Sequence, residues 1–377
     1  MAKILVVGTN TRALACSAKK LGYEVYSVEH FCTQDLLECS DHTHCNLKPE
    51  PYKSCGKLED TFDPVSLAEY VAEYVDSVDY ILYNSGVLPK IFPKEKIKGN
   101  AKTEHVENKF KFYKKIKNKF KVPETFLVSN FHEIKEITDD NKDKKFILKP
   151  LYGCGGAGIS EIDVFNRENL LNDMILQEYV PGDNISASVL SVRGEAKTIF
   201  TSKQLIGVKG LGQKDQWGYC GNMVPYIDYP EIKETAEELV EYLSLQGSNG
   251  VDMIYDHGEL KIIEVNPRFQ GTFECAESSL GINMVDAHLQ ACEGNLINLP
   301  KPQKFAVKMI VFARNRSIVR DINFKGVYDL PHPQVIIEKN EPVATVLQSS
   351  PILEDAIYSA KKTVERVYSG LEKYEAN

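Results

Sequence analysis

The sequence predicts a mixed chain, α/β at its start and α+β through its body, on three observations. The opening alternates strand, helix and strand; an antiparallel hairpin near residue 250 breaks that alternation; and past Pro300 short strands precede one last helix. The first run, KILVVG at 3–8, is continuously apolar and ends at Gly8, as suits a strand buried on both faces. A helical pattern follows to Leu21 and Gly22, then the strand YEVYSVE at 23–29, completing a β-α-β unit of a parallel sheet. The connecting turn, GTNTR, has one glycine and lacks the three-glycine dinucleotide fingerprint, so no NAD site is expected there. A helix at about 64–76 and a strand at Tyr80–Tyr83 continue the alternation, and PKEKIKGN supplies loop chemistry near residue 100.

In EHVENKFKFYKKIKNKFK, residues 104–121, apolar positions recur at helical spacing until Val122-Pro123 stops the helix. Strands are predicted at 125–128, 146–149 and 159–164, and Gln177–Val180 begins another, which a Pro181-Gly182 turn interrupts before Ile185–Val192. A glycine-punctuated loop at 206–222 and a helix at about 230–245 lead to the hairpin at 250–265, which turns at Asp256-His257-Gly258. The last helix is predicted at about 353–369, and no internal repeat or low-complexity segment is present.

With 377 residues, 43% hydrophobic and 26% charged, the chain can bury a sizeable core and build two or three domains. No apolar run approaches a membrane span and MAKILVVG runs directly into a strand, so a cytoplasmic location is expected. A net charge of −8, with acids interleaved among the lysines outside 94–121, argues against a nucleic-acid partner and for small-molecule chemistry. The nine cysteines read as reduced thiols. Cys32, Cys39, His42, His44, Cys45 and Cys55 share one stretch, but their spacing matches no established zinc pattern, and no bound metal is expected there.

Two segments carry chemistry. GVDMIYDHGELKIIEVNPRF, 250–269, places Asp252 on one hairpin strand and Glu264 and Asn266, two apart and so on one face, on its partner. Three oxygen ligands on one face suit octahedral Mg²⁺ bridging nucleotide phosphates. FILKPLYGCGGAGI, 146–159, delivers Lys149 from an apolar strand into a loop holding Gly153, Gly155, Gly156 and Gly158. Such a loop can bring backbone N–H groups against phosphate oxygens, and a lysine on a buried strand needs an anionic partner. The lysine precedes the glycines, so this is not a Walker A loop.

These motifs, in this order, resemble the ATP-grasp superfamily, specifically its carboxylate–amine or carboxylate–thiol ligase-like members. The resemblance implies a Rossmann-like pre-ATP-grasp domain over 1–103 and an ATP-grasp fold over 104–300, whose two α+β subdomains clasp ATP. The first, 104–176, would carry the glycine flap and the second, 177–300, the metal site, followed by a small C-terminal α+β lobe over 301–377. Lys109 and Lys149 look like the two ATP lysines, and Gly155, Gly156 and Ala157 like the flap over the phosphates. QEYVPGDN, 177–184, resembles the hinge around adenine, with Gln177 or Glu178 at the exocyclic amine and Tyr179 and Val180 as backbone partners. Where many members hold the ribose with a glutamate two positions after the hinge glycine, this chain has Asn184, with Asp183 adjacent. Asp252, Glu264 and Asn266 correspond to the metal ligands, and Arg268 to a basic residue near the transferred phosphoryl group, catalytic together with Lys149.

The activity implied is a ligase that uses ATP and Mg²⁺, with Mn²⁺ as a substitute, to activate a carboxylate as an acyl phosphate for attack by an amine, releasing ADP and phosphate. The alternatives are a carboxylase, carbamoyl-phosphate-type or kinase activity on the same fold, or a non-catalytic nucleotide-binding protein. Which acid and which amine the sequence does not specify, and a homodimer is compatible with it. The 207–225 loop, holding the single tryptophan, Trp217, reads equally as a lid or a surface excursion. RFQGTFECAESS, 268–279, reads equally as a substrate loop through Ser278 and Ser279 or as a Ser/Thr-rich helix entry, and Lys203 is a candidate further phosphate contact, set against the solvated position of most lysines.

Overall fold

The computed structural model describes residues 1–163, 172–192, 194–227 and 229–375. Strand alternation sorts the first apolar run onto two faces of a sheet. Ile4 and Val6 pack with Leu14, Ala15 and Ala18 of the helix Arg12–Lys20, while Leu5 and Val7 pack with Leu67 and Val71 of the helix Pro64–Tyr74. The sheet is parallel, in the order His42–Cys45, Glu24–Glu29, Lys3–Val7, Tyr80–Tyr83. In the turn after Lys3–Val7, the buried Glu29 carboxylate accepts the Thr11 N–H at 2.6 Å and the Cys32 N–H at 2.8 Å.

The expectation of nine thiols is corrected here. Cys16 and Cys39 are bonded, because the helices Arg12–Lys20 and Gln34–Cys39 pack with these Cα atoms 4.8 Å apart. The other seven cysteines carry free thiols. His42 stacks on Tyr26 and His44 on Tyr70, with ring centroids 4.3 and 4.6 Å apart. Among the described residues no three or more His, Cys, Asp or Glu side chains are grouped to hold a metal, and no helix is long and apolar enough to cross a membrane.

The single helix expected over 104–121 is two, Glu104–Glu107 and Lys109–Ile116. Asn108 leaves helical geometry and its side chain accepts the Lys111 N–H at 2.9 Å, capping the second helix and setting Lys109 at its first position. A four-stranded antiparallel sheet follows, in the order Thr125–Val128, Met174–Glu178, Phe146–Pro150, Ser160–Glu161. The strand expected over 159–164 is thus seen at Ser160–Glu161, with residue 164 outside the described residues.

An eight-stranded sheet forms the body. It runs from the hairpin Gly247–Asp256 and Glu259–Asn266 through Asp183–Val192, Glu195–Ile206 and Tyr219–Val224 to Phe305–Phe312, Pro342–Ser350 and Val327–Tyr328. His257 and Gly258 turn the hairpin with φ of +44° and +93°, left-handed at both central positions as a tight two-residue turn requires. The loop expected over 206–222 gives way at Tyr219 to a strand that pairs with Phe305–Phe312, so one sheet continues past residue 300. The helix Leu353–Ser369 covers that end with Ala356, Ala360, Val364 and Val367.

A buried charge network ties these pieces together. Arg12 Nε lies 2.9 Å from Asp329 and 3.4 Å from Asp35, its guanidinium donates to Glu274, and Lys308 Nζ lies 2.7 Å from the same glutamate. Burial opposes every one of these charges, and the partners prevail at Glu274 and Asp329, held below the usual carboxylate range, and at Lys308, held above the usual lysine range, whereas burial raises the Asp35 carboxyl. His288 makes a second, neutral tie. Its Nδ1 accepts the Ser248 N–H at 2.8 Å and its Nε2 donates to the Lys98 carbonyl at 2.9 Å, so one chain crossing is fixed by a single tautomer.

Two predictions follow from these ties. Burial pushes His288 down to about 4 from 6.5, so above pH 6.5 both folded and unfolded chains hold it neutral. Below that, the unfolded imidazole takes a proton the folded one refuses, and this group costs about 3 kcal/mol of stability as pH falls to 4. His288→Gln, which keeps one donor and one acceptor, flattens the urea midpoint between pH 6.5 and 4.5; a profile as steep as wild type would show the coupling lies elsewhere. Arg12→Met leaves Glu274 and Asp329 without their shared cation and loses about 3 kcal/mol or more in urea unfolding, part of which Asp329→Asn restores in the double variant.

Candidate active site

The small sheet, the hairpin edge of the large sheet and the N-terminal loops enclose a cavity of about 460 Å³. Lys149 enters it from Phe146–Pro150, 6% exposed, and its Nζ donates to Gln177 Oε1 at 2.7 Å. Gln177 in turn donates to Thr125 Oγ1 at 3.0 Å, so both ends of its amide are engaged and it fixes Lys149 in place. Burial pushes the Lys149 ammonium down to about 8, against the pull of Glu264. Lys109 reaches across the cavity, 2.9 Å from Glu264 Oε2 and 3.1 Å from the Gly153 carbonyl, joining the glycine loop to the hairpin.

The hairpin register sets Asp252 opposite Glu264, with Ile263 bulged out of the pairing, and Asn266 Nδ2 donates to Asp252 Oδ2 at 3.1 Å. Gln204 Nε2 holds the other Asp252 oxygen at 3.1 Å. Burial and the facing Glu264 raise the Asp252 carboxyl, whereas Glu264, despite its own burial, is pulled down by Lys109, Lys149 and Arg268. Two carboxylates and one amide thus share a face, a hard-oxygen set that fits a small divalent cation. Arg268 lines the same cavity and forms no salt bridge among the described residues.

Gly155, Gly156 and Ala157 line the cavity, with φ of +65° and +85° at the two glycines, a left-handed path that side chains rarely adopt. The hinge residues Gln177, Glu178, Tyr179 and Val180 line it as well. Glu178 faces Lys261 at 3.6 Å, and the Tyr179 N–H is already donated to the Lys145 carbonyl at 2.7 Å. Strand alternation separates the next pair: Asn184 and Ser186 line the cavity, while Asp183 accepts from Lys203 Nζ and the Tyr226 hydroxyl, each at 2.8 Å. Lys203 is therefore spent on Asp183 and lies off the cavity, where Gln204 takes the inward position.

The 268–279 segment divides: Arg268 to Thr272 run as a loop that lines the cavity, and the rest is helical. Phe273–Leu280 is a helix, because Phe273, Ala276 and Leu280 bury one helical face, and the Ser279 hydroxyl donates to the Lys304 carbonyl at 2.6 Å beneath it. Its first turn instead brings Glu274 to the cavity wall beside Arg12, Lys308 and Asp329. Sequence reading missed these four. A signal existed for Lys308 alone, a lysine within the apolar strand Phe305–Phe312, the same pattern that singled out Lys149.

Residues 106–272 match the ATP-grasp domain family. The chain is 32% identical to an uncharacterised protein of Methanocaldococcus jannaschii, over 99% of this chain and 93% of that one. It is 26% identical to a tyramine–L-glutamate ligase of the same organism over 51% of this chain, and so spans about half, 53%, of that relative. The biotin carboxylase domain of the Hydrogenobacter thermophilus 2-oxoglutarate carboxylase, solved with MgADP and bicarbonate, superposes with a TM-score of 0.71 at 15% identity, over 98% of this chain and 90% of that domain. At that identity the likeness is one of fold. The lysines, glycine loop and hairpin described above all fall within the matched span, and the chain belongs to the ATP-grasp family and has its fold.

Proposed function

We propose that the chain is a ligase that spends ATP, with Mg²⁺ or in its place Mn²⁺, to join a small-molecule carboxylate to an amine. The observation that carries this reading is convergence: Lys109, Lys149 and Arg268 meet Asp252, Glu264 and Asn266 around one cavity beneath a glycine loop. A carboxylate is a poor electrophile, and phosphoryl transfer from ATP turns it into an acyl phosphate that an amine can attack. The protein's part is positioning and charge neutralisation. Mg²⁺ held by Asp252, Glu264 and Asn266 would neutralise phosphate oxygens.

The remaining work falls to the chain's own residues. Lys149, held by Gln177, and Lys109, held by Glu264 and Gly153, present ammonium groups to the phosphates. Arg268, without a salt bridge among the described residues, meets the charge that develops on the transferred group. Glu178, Tyr179 and Val180 line the adenine end, with the Tyr179 N–H engaged by the Lys145 carbonyl, and Asn184 the ribose end. Gly155 to Ala157 cover the phosphates and exclude water from the acyl phosphate. In this reading residues 1–103 and 301–377 wall the acid and amine end, and relatives named as amine ligases, the tyramine–L-glutamate ligase among them, support it.

The test is a screen of acid and amine pairs for ADP release. Release that requires an added amine supports the ligase; dependence on bicarbonate instead would make it a carboxylase, and ATP binding without turnover a nucleotide-binding protein. Glu264→Gln lowers kcat by about 100-fold or more while ATP still binds, because it removes one charge from the cation site and leaves both lysines. Lys149→Ala weakens ATP binding about tenfold in calorimetry with the fold intact. Wild-type turnover in Glu264→Gln across a magnesium titration would place the cation elsewhere.

A further inference from the structure

Tyr219 opens the strand Tyr219–Val224 directly after the 207–218 loop, which the Gly207 N–H closes onto the Gly218 carbonyl at 2.8 Å and Leu211 anchors in the core of the C-terminal strands. The Tyr219 N–H donates to the Gly155 carbonyl of the glycine loop at 3.0 Å. Its side chain reaches the loop Arg268 to Thr272, where a Cβ on Gly271 would lie 2.7 Å from the Tyr219 hydroxyl oxygen. The φ of Gly271 is outside the left-handed region, so the backbone does not call for glycine there. The missing side chain makes room for the hydroxyl.

That hydroxyl is held in place and has a proton to give. Asn222, wholly buried, donates from Nδ2 to the Tyr219 oxygen at 2.6 Å, and the Gly271 carbonyl, 3.4 Å from the same nitrogen, sets which way the amide faces. The phenol's own O–H is left without an acceptor among the described residues. Burial pushes the phenol up to about 12, against the pull of Lys308, so the proton stays on at neutral pH. Tyr219 is partly exposed and Gly271 exposed, and both line the cavity with Asp252, Arg268 and Lys308.

The charges of Asp252 and Lys308 both act on the hydroxyl, which therefore stands between the cation face of the hairpin and the wall that carries Lys308. In the ligase reading the γ-phosphoryl group lies on the cation face beside Arg268, and the carboxylate that receives it lies next to that group, on the side away from ADP. A fixed neutral donor at the edge of the cation face suits an anionic oxygen there. We propose that Tyr219 is a substrate-binding residue, its hydroxyl donating to an oxygen of the carboxylate that becomes the acyl phosphate. This rests on the ligase reading above. It gives the acid a contact on the second subdomain, beside the flap that Tyr219 also holds through its backbone.

Acetyl phosphate, the simplest acyl phosphate, is given with MgADP to the wild-type chain and to Tyr219→Phe. ATP is measured as the phosphoryl group passes from the acetyl oxygen to the β-phosphate of ADP, leaving acetate. The variant keeps the ring and removes only the hydroxyl, and its KM for acetyl phosphate rises about tenfold. Its urea midpoint and its calorimetric affinity for MgATP stay at wild-type values. An unchanged KM for acetyl phosphate, or a loss of MgATP affinity that would put the hydroxyl on the γ-phosphate, overturns the proposal and leaves the ligase reading standing. A wild-type chain that binds MgADP but forms no ATP from acetyl phosphate also overturns the proposal. If no acid and amine pair releases ADP either, the ligase reading falls with it.

Discussion

The structure depends on finding partners for a guanidinium that has almost no access to water. Arg12 stands at the first turn of its helix, 4% exposed, and an unpaired charge there would be prohibitive. Asp35 comes from the neighbouring helix Gln34–Cys39, Glu274 from the helix Phe273–Leu280, and Asp329 from the far end of the large sheet. Lys308 then balances the second oxygen of Glu274. Satisfying these charges together fixes how the parallel sheet, the hairpin and the C-terminal strands stand to one another. The cavity is the space left between them.

Inside the cavity the cations fall into two kinds. Lys109 and Lys149 are held by protein oxygens, Glu264 and the Gly153 carbonyl for one and Gln177 for the other, which limits their rotamers before any ligand arrives. Arg268 has no such tether among the described residues. The anions differ in the same way. Glu264 sits in the field of three cations and stays ionised easily, whereas Asp252, buried and facing Glu264, is ionised with more difficulty. A divalent cation on this face would relieve that repulsion, so the charge pattern and the hard-oxygen donor set point the same way.

The glycine loop illustrates how backbone freedom and packing combine. Its left-handed φ values at Gly155 and Gly156 suit glycine, and at Gly156 a Cβ would lie 1.9 Å from the Trp217 carbonyl oxygen, so that approach does not survive a side chain. One segment is thus shaped by two neighbours, the cavity below and the 207–218 loop beside it.

Much of this was legible in the linear chain, because it follows from short-range rules. Two-residue periodicity placed Glu264 and Asn266 on one face, and His257-Gly258 turned Asp252 back toward them. An apolar strand ending in a glycine run singled out Lys149, and the spacing over 353–369 gave the last helix within its observed bounds. What tertiary structure decided has no local signature. The Cys16–Cys39 bond, the meeting of Arg12 with Asp329 over 317 residues, and the pairing of Tyr219–Val224 with Phe305–Phe312 depend on which surfaces become neighbours. The choice between Asp183 and Asn184, or Lys203 and Gln204, depends on sheet register, since a slip of one residue exchanges every side chain between faces. Periodicity says which residues share a face; only packing says what that face meets.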